Sequence, residues 1–501
     1  MLSAEELNRQ ANEHAQAKRY DAAIALYHRA LEVDPSLAKV YGNLGAALAL
    51  AGRAAEAEPI LRDGLARGGT PKLAGKLAAV LVELGRPQDI EPAAAAAPAE
   101  HATAMREVAL AHWRAAGDAL RAGAAALAAF GPRVPEDLVL ELAVDGGGTL
   151  VVPHALSLIT PFVLLEQGDW FEDELRFVRR VLTRGDRAID VGANFGVYTL
   201  AMGRAVGPEG RVVAYEPSSA TSAFLRETVR RNALANVEVV QAALSSARGE
   251  AEFANASSPE LSGLGATSKA AGVWTERVAL ETLEDAVRRA GDGPIALLKL
   301  DAEGEELRIL EGGSRSLRDR DPLLMTEVRH GEGVNRKLVD ALEALGFSLF
   351  RFVPGLEALA PLEPAALDEP FLLNAFACSA ARAALLRARG LIADAAAVES
   401  LGAALARARA APPTAAALLA RTRAAADLGW RREANEAAAA GLRAGPTPTE
   451  EIAFLEYLLR RKRYSAYYEP TARALAEALV ALGDPHGHAR RVLAVLARAG
   501  R

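Results

Sequence analysis

Between Leu138 and Ser379 the chain changes its period. Seven short β-rich runs, RAIDV, RVVAYEP, VEVVQAA, IALLKLD, PLLMTEV, FSLFRFV and FLLNAFAC, alternate with amphipathic helical stretches. Strands separated by helices cannot pair as hairpins, so the pattern predicts a mostly parallel sheet with helices on both faces. That architecture also predicts where a ligand sits: beyond the C-terminal ends of the strands, near the point where the strand order reverses.

The 501 residues exceed what one hydrophobic core holds, and the flanks of the β/α segment read as helical throughout. In the first flank, RYDAAIALYHRALEVDPS carries Tyr20, Ala23, Tyr27, Ala30 and Pro35 at spacings that recur about 34 residues later. The second copy supplies Tyr41, Leu44, Gly45, Gly52 and Ala57. Small residues let paired helices approach, tyrosines fill between them, and a proline ends the unit. These residues resemble the tetratricopeptide repeat, and a weaker third unit starts at Pro71. EPAAAAAPAE (91–100) predicts a break, and GPRVPED a boundary. After Ala380 the chain is helical again, with Gly429, Ala434 and Pro446 at repeat-like positions. The expected organisation is helical repeats over 1–130, an α/β domain over 136–380 and a helical region over 381–501.

Composition excludes several classes. With 51% hydrophobic residues the chain is globular and not disordered, and a net charge of -6 gives no basic face for nucleic acid. Cys378 is the single cysteine, so no internal disulfide can form; within FLLNAFAC it reads as core. The longest apolar run, LSLITPFVLL, is too short to cross a bilayer, and MLSAEELNRQ lacks a signal-peptide apolar segment. A cytoplasmic protein is expected.

The run AIDVGANFGVYTL (188–200) marks the predicted ligand site. A strand enters the turn Gly192-Ala193-Asn194-Phe195-Gly196, and Asp190 stands just before it. Glycine at both ends of the turn is expected to keep any Cβ from standing between backbone and ligand. A dinucleotide site uses G-x-G-x-x-G to cradle pyrophosphate, and a nearby carboxylate repels that group. The same carboxylate suits an amine and a sulfonium. Glu216, closing the next strand in YEP, is placed to accept ribose hydroxyls. The pair Asp190 and Glu216 therefore reads as S-adenosylmethionine rather than NAD. The plainer alternative makes Asp190 a helix N-cap and Glu216 a solvated strand end.

The stretch GDRAIDVGANFGVYTLAMGRAVGPEGRVVAYEPSSATSAFLRETVRRN resembles the FkbM-type methyltransferase family, as do NVEVVQAALSSARGEAEF, LLKLDAEGEELRILEGG and the lead-in LEQGDWFEDELRFVRRVL. The resemblance spans about Ile159 to Ser379. It implies a class I, Rossmann-like methyltransferase fold, S-adenosylmethionine as donor with S-adenosylhomocysteine as product, and an oxygen of a sugar, polyketide, glycan or similar small molecule as acceptor. Carried onto this chain, Asp190 and Gly192 should hold the methionine end, with Ala193 among the cofactor contacts. Asn194 and Gly196 shape the turn, and Glu216 takes the ribose, with Pro217 stiffening the next turn. Adenine is expected against Gln241, Ala242 and Ala243, where many methyltransferases carry an acid.

A hydroxyl acceptor needs a base or a metal. The fourth strand ends in KLDAEGEE and the fifth in TEVRHGEG, on the same rim as Asp190. Asp301 and His330 are the candidate bases, with Glu303 and Glu327 as further candidates. Glu303 is expected to open the next helix, an ordinary place for an acid. Asp301, Glu303, Glu327 and His330 are types that can bind a divalent metal, but their spacing is no metal signature, so no metal ligands are assigned. Trp170 and the polar run SSPELSGLGATS (257–268) are candidate walls of the acceptor site. The repeats are expected to recruit a large, glycan or protein-attached acceptor or a protein partner. The competing expectation is a repeat scaffold whose central domain only senses the cofactor. A helical flank that docks on the central domain could also form one wall of its cleft.

Overall fold

The structure is a computed structural model describing residues 2–131, 134–256, 259, 262–264, 274–330, 333–461 and 469–499. It divides into two compact units, Met1–Leu140 and Glu141–Arg501.

The first unit is a stack of helices, among them Ala4–Gln16, Tyr20–Val33, Ala38–Leu50, Ala54–Ala66, Pro71–Glu83 and Ala99–Ala115. The repeat residues do what their sizes predict. Ala23, Tyr27, Leu44 and Ala57 are buried, and Pro35 comes just after the C-cap of the second helix. A Cβ on Gly45 would stand 2.5 Å from Leu61, so only glycine allows that helix pair its separation. Pro71 opens its helix at a position where a missing N–H costs nothing, with Thr70 as N-cap. The break predicted at 91–100 falls between Ile90–Ala95 and Ala99–Ala115.

The second unit is built on an eight-stranded sheet. Its strands are β1 (Arg187–Val191), β2 (Arg211–Tyr215), β3 (Val237–Val240), β4 (Leu297–Leu300), β5 (Leu323–Glu327), β6 (Ser348–Val353), β7 (Ala358–Pro361) and β8 (Asn374–Cys378). The spatial order is β3-β2-β1-β4-β5-β8-β6-β7. Strands β1 to β5 pair in parallel, and the β8-β6-β7 edge is antiparallel. Both faces are covered. One face packs Val212, Leu297, Met325 and Phe376 against Phe177 and Met202; the other packs Ile189, Val213 and Leu298 against Leu283 and Leu342. Cys378 is buried in the first of these layers, and burial pushes its thiol up to about 12, so it is inert core. Strand β7 and a smaller four-stranded sheet, which includes Gly249–Asn255 and Trp274–Glu281, were not foreseen. Trp274–Glu281 is exposed at alternate positions over most of its length and Gly249–Asn255 is buried only from Phe253 on, so neither strand presents a long continuous apolar run.

The chain runs β1, β2, β3 outward on one side, then returns to place β4 and β5 on the other. The switch point is therefore the gap between β1 and β4. Helices Ala415–Leu428, Arg431–Leu442, Pro448–Arg461, Glu469–Ala481 and His488–Ala499 follow the sheet within the same unit. Among the described residues no helix is long and apolar enough to cross a membrane.

Candidate functional site

The turn after β1 is shaped by its neighbours. Gly192, Asn194 and Gly196 all take left-handed backbone, with φ of 73°, 50° and 96°. A Cβ on Gly192 would lie 1.7 Å from the carbonyl oxygen of Asp301, which follows β4. Glycine is needed here because two strand ends touch at the switch point. The expectation that it clears space for a ligand is corrected by that contact. At Gly196 the space is filled by Leu225, whose side chain would lie 2.6 Å from an added Cβ.

The turn spends its donors on protein. The N–H groups of Gly192 and Ala193 donate to the Tyr215 carbonyl, that of Asn194 to Glu216 Oε2 at 2.9 Å, and that of Gly196 to the Ala193 carbonyl. A backbone cradle for pyrophosphate needs those N–H groups. Two acids flank the turn in its place. Asp190 is fully buried within β1; its Oδ2 accepts from Thr199 Oγ1 at 2.6 Å and its Oδ1 stands 3.7 Å from Lys299 Nζ. It is not a helix N-cap, since that position is Gly196. Glu216 is 7% exposed and accepts from two backbone N–H groups, those of Asn194 and Ser218, both at 2.9 Å. It is not a solvated strand end. Burial pushes its carboxyl up to about 7, against the pull of those two bonds. Burial likewise raises Asp190, with Lys299 and Thr199 opposing.

One cleft gathers most of the expected residues. Gly192, Ala193, Asn194, Glu216, Pro217, Ala242, Ala243, Asp301 and Glu303 all line it. Gln241 does not: it is exposed, and its side chain accepts from Arg226 at 3.1 Å. β3 ends at Val240, so Gln241 and Ala242 diverge, and only the alanines face inward. Glu303 departs from expectation differently. It has φ of 48° and is followed by Gly304 at 102°, a turn that precedes the helix Glu306–Glu311. Glu303 therefore serves a bend over the cleft instead of a helix start. The side chain of His330 lies outside the described residues, as does most of 257–268; of that run Pro259, Ser262 and Leu264 line the cleft.

Lys299, which its i, i+2 spacing from Asp301 turns toward the site, completes the wall together with two residues that the sequence did not single out, Glu172 and Tyr198. Lys299, 4% exposed, donates to Asp301 Oδ2 at 2.9 Å and lies 5.2 Å from the centre of the Tyr198 ring. Burial works against its ammonium, but Asp301 and Asp190 outweigh burial and hold it above its ordinary range. Tyr198 donates its hydroxyl to Glu172, which with Trp170 lines the cleft. The i, i+2 alternation of Lys299 and Asp301 was a signal for the first. Nothing local marks Glu172 or Tyr198, whose meeting depends on how distant segments pack.

Asp301, Glu303 and Glu327 each place a carboxylate oxygen within 4.8 Å of the others'. Their spacing in sequence is no metal signature because the grouping is made by the sheet, where β4 and β5 are neighbours. Burial and the charges of Asp301, Glu303 and Glu306 push Glu327 up to about 9. It keeps a proton at neutral pH.

A parallel 3-2-1-4-5 sheet with an antiparallel edge, and an acid-flanked cleft at its switch point, define the class I Rossmann-like methyltransferase architecture. The family comparison agrees: residues 190–349 match the methyltransferase FkbM domain, and residues 11–52 match a TPR repeat. The chain thus carries an FkbM-type methyltransferase domain and N-terminal tetratricopeptide repeats. No curated protein matches it. Similar solved structures include the methyltransferase FkbM from Methylobacillus flagellatus KT, at 15% identity and TM-score 0.27, covering 39% of this chain and 44% of that one. Another is an S-adenosylmethionine-dependent O-methyltransferase from Thermotoga maritima, at 15% identity and TM-score 0.27, covering 48% of this chain and 77% of that one. The chain thus spans less than half the length of the first of these.

Proposed function

We propose that this protein is an S-adenosylmethionine-dependent methyltransferase that methylates a hydroxyl on a glycan, sugar or other natural-product-like acceptor. The observation carrying this reading is the pair Asp190 and Glu216 on either side of a turn whose Gly192, Ala193, Asn194 and Gly196 N–H groups are already engaged. The chemistry of the donor set fits the cofactor. The buried Oδ1 of Asn194, which lines the cleft, has no hydrogen-bond partner and can accept from an amine; Asp190 Oδ1, behind it, also lacks one and faces the Lys299 ammonium at 3.7 Å, adding negative charge to that end. Both Glu216 oxygens retain lone pairs for ribose hydroxyls, and Ala242 and Ala243 leave a flat apolar surface for a purine.

When bound, S-adenosylmethionine supplies a methyl group already activated on a sulfonium, so the protein's work is alignment and proton removal. Asp190 and Glu216 fix the two ends of the cofactor. Asp301, oriented by Lys299, is the residue placed to take the acceptor's proton, with Glu303 beside it; His330 is the other candidate base. Glu327, protonated at neutral pH, serves as a hydrogen-bond donor to its neighbouring acids and not as the base. No residue is assigned to a metal. The tetratricopeptide repeats recruit the acceptor or a protein partner, and the site of action is cytoplasmic.

Calorimetric titration of S-adenosylhomocysteine into wild type, Asp190→Ala and Glu216→Ala tests the reading. Binding by wild type and loss in both variants is expected. No binding by wild type would leave a helical-repeat scaffold as the better description.

A further inference from the structure

The cleft wall that carries Trp170 and Glu172 is the short strap Gly168–Asp173, between helices Ile159–Gln167 and Glu174–Val181. A strap of six residues with two side chains in a cleft needs anchors, because fixing each backbone residue costs about 1–2 kcal/mol. Some anchors are local: Asp169 pairs with Arg179 at 2.6 Å and 2.9 Å. Others come from the far end of the chain.

Arg431, at the start of the helix Arg431–Leu442, donates to Asp173 Oδ2 at 3.0 Å, and both side chains are largely buried. Gln167 Nε2 donates to the carbonyl of Arg460 at 3.1 Å. Phe162, on the helix leading into the strap, packs into the core formed by Leu455, Leu459, Val492 and Leu496 of the C-terminal helices. The turn bearing Arg431 is itself pinned to the sheet edge. Arg351 on β6, 2% exposed, donates to the Leu428 carbonyl at 2.6 Å and lies 4.8 Å from the centre of the Trp430 ring. The Arg432 N–H donates to Glu369 at 3.2 Å.

We infer that Arg431 is a positioning residue for the cleft: through Asp173 it holds the strap so that Trp170 and Glu172 face the bound ligand, and the C-terminal helices thereby form part of the site's wall. Among the described residues Arg431 interacts with Asp173, with Glu174 on the following helix and with Tyr457, none of them at the switch point, so its effect reaches the cleft through the strap and the helix that follows it. Asp173 Oδ1 also accepts from Arg176 at 2.9 Å, so losing Arg431 leaves the carboxylate paired on one side only, whereas losing Asp173 leaves the buried Arg431 charge behind, which is costly. The pair therefore holds the strap in one arrangement more firmly than an exposed pair would.

The test uses the full chain. Hydrogen exchange of the amides of 168–173 is compared in wild type, Arg431→Met, Asp173→Asn and the double variant, with global stability measured separately by urea denaturation. Exchange in the strap should accelerate by roughly tenfold or more in each single variant while distant strands β1 and β4 stay protected. The double variant should be less than additive, and Arg431→Lys should restore part of the protection. S-adenosylhomocysteine affinity should fall in parallel with strap exchange. Because the exchange readout needs no ligand, it stands even if S-adenosylhomocysteine fails to bind wild type. If Arg431→Met unfolds the chain, Gln167→Ala, which removes one bond near the surface, should still accelerate exchange at 168–170. Unchanged strap exchange in folded Arg431→Met or in Gln167→Ala overturns the inference.

Discussion

Glu216 offers a sharp test of the electrostatics of the cleft. Its carboxyl is raised from 4.5 to about 7 chiefly by burial, so the folded chain holds this proton more tightly than the unfolded chain does. The resulting stability is fully present below about pH 4.5 and is lost as the pH rises to about 7. Between about pH 5 and about pH 8 the loss comes to about 2.5 kcal/mol from this group. Glu216→Gln removes the titration while keeping the shape. It leaves one backbone donor, at Asn194 or Ser218, facing an amide N–H₂, a cost of about 1–3 kcal/mol that does not vary with pH. Urea denaturation of both proteins across this range isolates the effect, because the other groups cancel in the difference. Wild type should lose about 2.5 kcal/mol relative to the variant as the pH rises. A difference that stays flat across the range refutes the assignment of a buried, protonated Glu216. The ligand gives a second view of the same group. If Glu216 takes the ribose as proposed, the hydroxyls donate to the ionised carboxylate, so S-adenosylhomocysteine should bind about tenfold more weakly near pH 6 than near pH 8, with proton release on binding. Calorimetry in buffers of different ionisation enthalpy measures both.

Gly192→Ala places a methyl 1.7 Å from the Asp301 carbonyl at a φ of 73°, and should cost more than about 3 kcal/mol or abolish soluble folding. Gly249→Ala, with open space around it, should stay within about 0.5 kcal/mol of wild type, so equal melting temperatures for the two variants would contradict the close-contact argument. Dialysis against a chelator should leave S-adenosylhomocysteine affinity and turnover unchanged; a loss restored by magnesium or manganese would reassign Asp301, Glu303 and Glu327 as metal ligands.

The period of the apolar residues determined a great deal by itself. Alternation of strand and helix from Leu138 to Ser379 required a covered, mostly parallel sheet, and all seven strand-like runs became strands of it, five paired in parallel and the last two antiparallel. The spacing of Tyr20, Ala23, Tyr27 and Ala30 required paired helices, because only small and aromatic residues at those positions let two helices meet. The order Asp190, glycine turn, Glu216 was legible too, since a residue at a strand's end is placed by the strand itself. Tertiary structure decided whatever depends on two segments distant in sequence. It fixed why Gly192 must be glycine, since the obstructing atom belongs to Asp301, more than a hundred residues onward in the chain. It joined Asp301, Glu303 and Glu327, turned Gln241 outward, and set Lys299 between Asp190 and Asp301. It also brought Arg431 to Asp173. A sequence pattern reports how one element faces its surroundings; which other element supplies those surroundings is settled only when the sheet order and the helix packing are fixed.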